Sequence, residues 1–558
     1  MTSRQFKYCS VILLFLAASS WIRAQVIHSS HQLSADQLLQ YYRSLKNLSQ
    51  MEALSNDLHD RKCGFGIRTQ VHSQWNAFSV LQKIELKQLM ADDSMQKNRI
   101  IGRFKILYDT SGTSNVPALL DVNNQPIPNT AEAYVDSVGA IFNYIYSVEI
   151  DGLGYQAPPH EQGESSYRIY IKDQGKDGYG LTDWDSDAPN LNPNGNPPRY
   201  ACYVEVDNDF KDQYTKGINA LKVTAAHEFH HVIQVGSYGY WDEDIFVHEL
   251  TSTWMEDVVY TEVNDYYQYL PNYFNLFSAG ISFNYYIPSD DHYGGYERCI
   301  FAHCLARIYG VDIMKDIWTG MRTLPFLESA DAVLANRGSS LQYAFAEFTK
   351  WNYFTWDRAD TVNYYPEGNH YPRFQPLQKT TFCNTTSGNV EPLSSSMYEF
   401  DLQQDTITAI IANLDVSSAI NRSTTQQQID VTLSSGLQTK ISAENLSLWS
   451  SFFIQSSTRK DIPRMQSNAA PNPFRLADAK WLKLPINQDA AKTAEVFFFT
   501  SSFQLAYSGS LGVNSEDGGF RAIVIPTSEV KSKLASGIYF IIAKTANSDY
   551  KWKVAVIR

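Results

Sequence analysis

One short run, His227-Glu228-Phe229-His230-His231, has the residue types and spacing needed to hold a divalent metal ion and activate water on it. On a helix, positions four apart emerge about 40° from one another. His227 and His231 would therefore offer two imidazoles to one ion, with Glu228 placed to act on a water held there. Ile218, Leu221, Ala225, Phe229, Val232 and Ile233 form an apolar stripe on the opposite side. The pattern predicts a helix from about 216 to 235 that packs by one face and presents both imidazoles to a cleft. Two surface histidines on an amphipathic helix are the plain alternative.

A catalytic zinc ion takes three protein ligands and keeps one position open. Glu249 follows His231 after 17 intervening residues, in a stretch, Val247–Asp257, that reads as a second helix. Glu249 is the expected third ligand. Glu256, two turns further along the same face, is placed to orient a ligand imidazole. His230 projects about 60° away from His227 on the side opposite His231 and is expected to be a neighbour. His248 would replace Glu249 if the second helix were rotated.

The chemistry follows from this set. Glu228 would take the proton of a water attacking a carbonyl carbon and pass it to the leaving amine. A second donor usually meets the developing oxyanion. His292, Tyr293 and Tyr296 precede another apolar helix, and Tyr293 and Tyr296 are the catalytic candidates, with ordinary packing aromatics as the alternative. A peptide would add to a sheet edge through main-chain hydrogen bonds. The strand at 200–206 is the expected edge on sequence order.

The elements that must position these residues divide the chain into five parts. Residues 1–24 read as a signal peptide, with Arg4 and Lys7 before an apolar stretch from Val11 to Ala18 and Ala24 as the last residue before cleavage. Residues 25–98 look helical and are either a propeptide or an N-terminal segment. Residues 99–375 form the catalytic domain, in which strands near 103–108, 167–171 and 200–206 surround a helix near 130–150 and a Gly/Asp/Pro/Asn-rich loop at 173–198. Strands followed by helices suggest an α+β fold. Residues 376–465 and 466–558 alternate in short strands with polar turns, so two all-β sandwich-like domains are expected.

Composition narrows the function classes. A net charge of -13 leaves no basic stripe for phosphates, so a nucleic-acid partner is not expected. No stretch after residue 24 is long and apolar enough to be transmembrane. Export would bring an oxidising compartment, so one or two disulfides are expected among Cys63, Cys202, Cys299, Cys304 and Cys383. Cys63 is read first as a disulfide partner. Its second reading is a thiolate ligand that fills the open metal position and keeps the enzyme latent, as in matrixin-like switches. Cys299 and Cys304 point to different sides of one helix. Asp183-Trp-Asp-Ser-Asp187 and Asp207-Asn-Asp209 are read first as solvated acidic loops, and second as calcium sites, since they gather oxygen donors of the kind calcium takes.

His227-Glu-Phe-His-His-Val-Ile-Gln234 with Glu249-Leu-Thr-Ser-Thr-Trp-Met-Glu-Asp257 resembles the gluzincin metallopeptidases, and most resembles a group of large secreted bacterial metalloproteases. Phe104-Lys-Ile-Leu-Tyr-Asp-Thr-Ser-Gly112, Val206-Asp-Asn-Asp-Phe210, Tyr293-Gly-Gly295 and Trp351-Asn-Tyr-Phe-Thr355 extend the resemblance over about 100–375. Gln234 and Ser237 stand where metzincins carry glycine and a third histidine, which separates the chain from that class. The resemblance implies a zincin-like domain with Zn2+ on His227, His231 and Glu249. It departs at Leu250, a glycine in related aminopeptidases, and at Thr253, an aspartate in the thermolysin-like branch. Pro471-Asn-Pro-Phe474, Ala535-Ser-Gly-Ile-Tyr539 and Lys553-Val-Ala-Val-Ile-Arg558 look like a type IX secretion (Por) sorting domain. That resemblance implies a Gram-negative exporter, the type IX machinery as partner, and a product secreted or held at the outer-membrane surface. The expected function is thus a secreted zinc endopeptidase acting on protein or peptide. Its rivals are a non-catalytic surface-binding protein on the same scaffold and an aminopeptidase.

Overall fold

The computed structural model describes residues 33–46, 62–90, 95–275 without 177, 186, 242 and 243, 295–457 without 377, 382–384, 402–404, 422, 424, 434–438 and 444, and 472–558 without 487–490, 501–503, 516–520 and 546–548. The expected signal peptide, Cys9, Cys383, His292 and Tyr293 lie outside the described residues. Two compact units are present, Met1–Ser456 and Ser457–Arg558. The sequence had suggested a division at 465/466.

The first unit begins with helices α1 (Ala35–Lys46), α2 (Phe65–Ser73) and α3 (Val80–Met90). Leu38, Leu39, Tyr42, Ile67, Val71, Phe78, Leu86 and Met90 give these helices a small core of their own. A five-stranded sheet follows, built from β1 (Lys97–Ile101), β2 (Phe104–Tyr108), β3 (Tyr167–Lys172), β4 (Gly180–Asp183) and β5 (Tyr203–Asp207) in the order β1-β2-β3-β5-β4. The three middle strands are parallel, and both outer strands pair antiparallel with their neighbours.

Two strands depart from expectation. β1 straddles the boundary expected at 98/99 between a helical stretch and the domain after it, and β4 falls in the stretch expected to be loop. Lys97-Asn-Arg-Ile-Ile shows no apolar alternation and stays largely exposed, so only pairing with β2 makes it a strand. β4 has four residues and opens on a glycine. A further correction concerns the edge. The strand expected at 200–206 is β5, which lies between β3 and β4. The edge near the motif helix is β4.

Helices α4 (Ala131–Tyr146) and α5 (Gly217–Ile233) pack on the sheet and on each other. Alternation in β2 turns Phe104, Ile106 and Tyr108 into the core. The Phe229 ring lies within 5.6–6.5 Å of the rings of Phe104, Phe142, Tyr146 and Tyr167. Burying one such ring contributes about 1.5–3 kcal/mol, and this one fixes the rotation of α5 on the sheet. α6 (Ile245–Val259) packs along α5, and α7 (Cys299–Tyr309) packs against α6. Helices α8 (Ile313–Gly320), α9 (Phe326–Asn336) and α10 (Leu341–Tyr353) complete the helical part.

Strands β6 (Gln378–Thr381), β8 (Ser394–Asp401), β9 (Asp405–Asn413) and β12 (Trp449–Ser457) form one sheet, and β7 (Thr385–Val390), β10 (Gln427–Leu433) and β11 (Thr439–Ala443) a second. Val390, Tyr398, Phe400, Ile411, Ile429 and Val431 from the two sheets share one core. The other face of the first sheet, through Met397 and Ile410, joins the main core.

The second unit is a seven-stranded sheet. Its strands are β13 (Phe474–Arg475), β14 (Trp481–Ile486), β15 (Thr493–Thr500), β16 (Leu505–Ser515), β17 (Arg521–Pro526), β18 (Gly537–Lys544) and β19 (Asp549–Ile557). β16 pairs with β15 along its first part and with β17 along its last, which joins two halves of the sheet around one core. Motif residues here have structural tasks. The Asn472 amide donates to the Lys553 carbonyl at 3.2 Å and accepts from the Ala555 amide at 2.9 Å. Phe474 is buried, and the Tyr539 hydroxyl meets the Ala535 main chain at 3.0 and 3.2 Å. The protein is therefore α+β with additional β-sheets. Among the described residues, no helix is long and apolar enough to cross a membrane.

Candidate metal centre

α5 presents His227 and His231 one turn apart, and α6 presents Glu249 opposite them. His227 Nε2 stands 3.1 Å from His231 Nε2 and 3.1 Å from Glu249 Oε2, and His231 Nε2 stands 3.4 Å from that same oxygen. Nitrogen and oxygen donors bonded at about 2.0–2.1 Å to a tetrahedral ion stand about 3.3 Å apart. The three donors thus already have the spacing of one face of such a tetrahedron.

The outer ring nitrogens explain why the inner ones converge. His227 Nδ1 meets Glu256 Oε1 at 2.8 Å, and His231 Nδ1 meets Gln234 Oε1 at 2.7 Å. Gln234 is oriented by its own amide nitrogen, which donates to the His248 carbonyl, Thr251 Oγ1 and Ser252 Oγ. With each Nδ1–H committed outward, two Nε2 lone pairs and a carboxylate face one another. A metal ion, or a proton shared among them, satisfies that arrangement. Without a metal, burial pushes the His227 imidazole down, but its bonded carboxylates Glu249 and Glu256 pull it up further, to about 9. Burial likewise pushes the Glu249 carboxyl up, and the two imidazoles hold it down at about 2. Glu249 Oε1 and Glu228 Oε1 are buried without hydrogen-bond partners.

Glu228 lies on the same turn as these donors. Its Oε2 accepts from Thr182 Oγ1 at 2.7 Å, and the same hydroxyl reaches the Glu228 carbonyl at 2.8 Å. Burial raises its pKa, which the neighbouring imidazoles oppose. Tyr296 follows Gly295, whose φ of 119° and 2.3 Å approach of a virtual Cβ to the Phe246 carbonyl require glycine. The Tyr296 ring lies 5.7 Å from that of His227. Tyr293 lies outside the described residues.

His230 and His248 are engaged elsewhere through Nδ1. His230 Nδ1 meets Glu149 Oε2 at 2.7 Å. Burial raises the Glu149 carboxyl and lowers the His230 imidazole. His248 Nδ1 meets Gln234 Oε1 at 3.0 Å, and Glu249, not His248, stands among the metal donors.

The expected open cleft is not seen. His227, Glu228, His231 and Glu249 are each 0% exposed. The covering segment comes from the N-terminal region, with Cys63 Sγ in the donor cluster, all four donor atoms lying within 4.8 Å of one another. Cys63, Cys202, Cys299 and Cys304 are all buried free thiols, so the disulfide expectation fails for the described cysteines. Asp183 pairs with Arg68, Asp207 accepts the amides of Gln174, Asp209 and Phe210, and neither acidic run forms a ligand group among the described residues.

Sequence reasoning overlooked Thr182, hidden in an unrecognised strand, and Lys62. It also passed over the role of Gln234, although a position three after His231 lies on nearly the same helix face.

No family model matches the chain, and no curated protein matches it. Among solved structures, a crystal structure of neural ectodermal development factor IMP-L2 is 12% identical over 33% of this chain and 91% of that one, with a TM-score of 0.10. That likeness carries no argument about fold or function.

Proposed function

We propose that this protein is a secreted zinc-dependent endopeptidase with a zincin-like domain, in which His227, His231 and Glu249 hold the ion. The observation carrying the reading is the convergence of two Nε2 lone pairs and a carboxylate at 3.1–3.4 Å, one residue from an acid that can move a proton. Bound zinc would acidify a water and polarise a carbonyl. The remaining work belongs to side chains. Glu228 accepts the proton of the attacking water and returns it to the leaving nitrogen, and its burial-raised pKa suits it to both transfers. Thr182 holds its carboxylate in place. Glu256 and Gln234 fix the tautomers of the two imidazoles. The Tyr296 hydroxyl is the donor for the developing oxyanion, and β4 is the edge along which a peptide pairs. The C-terminal unit serves as the type IX sorting domain of an exported precursor.

The experiment pairs metal analysis with Glu228→Gln, both proteins first freed of the N-terminal segment by limited proteolysis. One zinc per chain is expected in both, with peptide hydrolysis in the wild type only. Metal-free wild type would remove the reading, as would unchanged turnover by Glu228→Gln. A scaffold that only binds would carry zinc and hydrolyse nothing.

One observation favours the aminopeptidase alternative. Glu256 and Asp265 hold an ammonium group, Lys62 Nζ, at 2.5 and 2.6 Å. Peptides with acetylated N-termini separate the readings, since an endopeptidase cleaves them and an aminopeptidase does not.

A further inference from the structure

The segment covering the metal centre is held like a bound peptide. The Lys62 carbonyl accepts the amides of Tyr179 at 3.0 Å and Gly180 at 3.4 Å, and Cys63 forms a parallel bridge with Gly180 on the edge strand β4. The Cys63 amide donates to the Tyr296 hydroxyl at 3.1 Å, which in turn donates to the Cys63 carbonyl at 3.3 Å. Phe65 stacks on the His231 ring, with centroids 4.1 Å apart and planes 9° from parallel. Lys62 reaches past the metal donors to Glu256 and Asp265, and Arg68 pairs with Asp183. The group at the centre of this strip is a thiol. Cys63 Sγ lies within 4.8 Å of the donor atoms of His227, His231 and Glu249, and 3.5 Å from Glu228 Oε2. Two carboxylate oxygens around it, Glu228 Oε1 and Glu249 Oε1, are buried and unpartnered.

We propose that Cys63 is the fourth protein ligand of the metal ion, and that the strip Lys62–Phe65 thereby occupies the places of both water and substrate, so that the chain in this fold is a latent precursor. The inference rests on the metal-centre reading above. One sulfur, two nitrogens and one carboxylate oxygen would close the ion with four protein ligands, whereas a catalytic site keeps one position for water. On binding, the thiol gives its proton to solvent and ligates as thiolate. On activation the thiolate leaves and water takes its position. Three features beyond the cysteine make the strip specific for this site: Lys62 neutralises the carboxylate that orients His227, Tyr296 grips the main chain on both sides of Cys63, and α1–α3 supply a separate apolar core that holds the strip in place.

The test uses the full-length chain loaded with one equivalent of Co2+. Thiolate ligation gives cobalt an intense near-ultraviolet charge-transfer band. Wild type is expected to show that band, and Cys63→Ser to bind one cobalt without it. Peptide mapping is expected to find Cys63 protected from alkylation in the loaded protein and modified after chelation. The double variant Lys62→Ala/Cys63→Ala is expected to raise hydrolysis of an unfolded protein substrate from background to measurable turnover. A cobalt-loaded wild type without the band overturns the proposal and leaves the three-ligand centre standing. Absence of cobalt binding in every variant overturns the metal reading and the proposal with it. Equal hydrolysis by wild type and double variant overturns latency.

Discussion

At the scale of single residues, the side chains that orient the ligands matter as much as the ligands. Gln234 accepts from His231 Nδ1 and, by spending its amide protons on oxygens of α6, cannot turn around. Gln234→Leu should therefore lower metal affinity about 10–100-fold, measured by competition with a chromophoric chelator, while His227 and its Glu256 partner remain. Asp257 beside this group makes a second, pH-dependent prediction. Burial, reinforced by Glu367, Glu256 and Glu262, raises its carboxyl from 3.8 to about 8. A raised acid binds its proton more tightly when folded, so its contribution to stability is complete below about pH 4 and is lost as pH rises to about 8. Asp257→Asn, which stays neutral, should gain on the wild type across that window and hold a constant advantage above it, as read by denaturant unfolding at pH 5, 7 and 9. His227 and His231 were legible because helical spacing alone sets their relative directions, whereas Glu249, on the next helix, was legible only from its distance along the chain. The role of Gln234 was not, because it depends on which oxygens a different helix brings to its amide.

At the scale of elements, one helix and one short strand build the site. α5 was readable from its stripe and its histidines. β4 was not, since four residues beginning with glycine carry no alternation, and only pairing with β5 and contact with α5 define them. Gly180 shows how closely these elements meet. A Cβ there would stand 2.8 Å from the Glu205 carbonyl, 2.8 Å from Thr224 Cγ2 and 3.0 Å from Glu228 Cγ. Gly180→Ala should force strand and helix apart, costing about 1–3 kcal/mol of stability and displacing Glu228. Chemical denaturation reads the first effect. Retained metal with weakened hydrolysis in the activated protein reads the second. The same closeness accounts for the mistaken edge. Chain order suggested the strand at 200–206, but β4 returns antiparallel outside it and takes the position where a peptide would pair.

At the scale of the whole molecule, the α+β character of the first part and the β character of the rest were legible from the shift from mixed helical and strand patterning to short alternating runs. The closure of the centre was not legible, because contacts between residues 62–68 and residues 179–296 span more than a hundred positions and no local pattern announces them. Closure by a distant segment also governs timing. With every donor atom sealed from solvent, an ion can enter or leave only when the N-terminal segment lifts, so the exchange rate is the opening rate of that segment. Zinc loss to a chelator should therefore follow a rate that stops rising as chelator concentration increases, and a stopped-flow trace with a colorimetric chelator would show the plateau. Continued proportionality to chelator would mean that ions reach the donors by another route. An ion held at this centre would thus be acquired during folding and carried as a kinetically trapped passenger, indifferent to the metal supply around the folded protein.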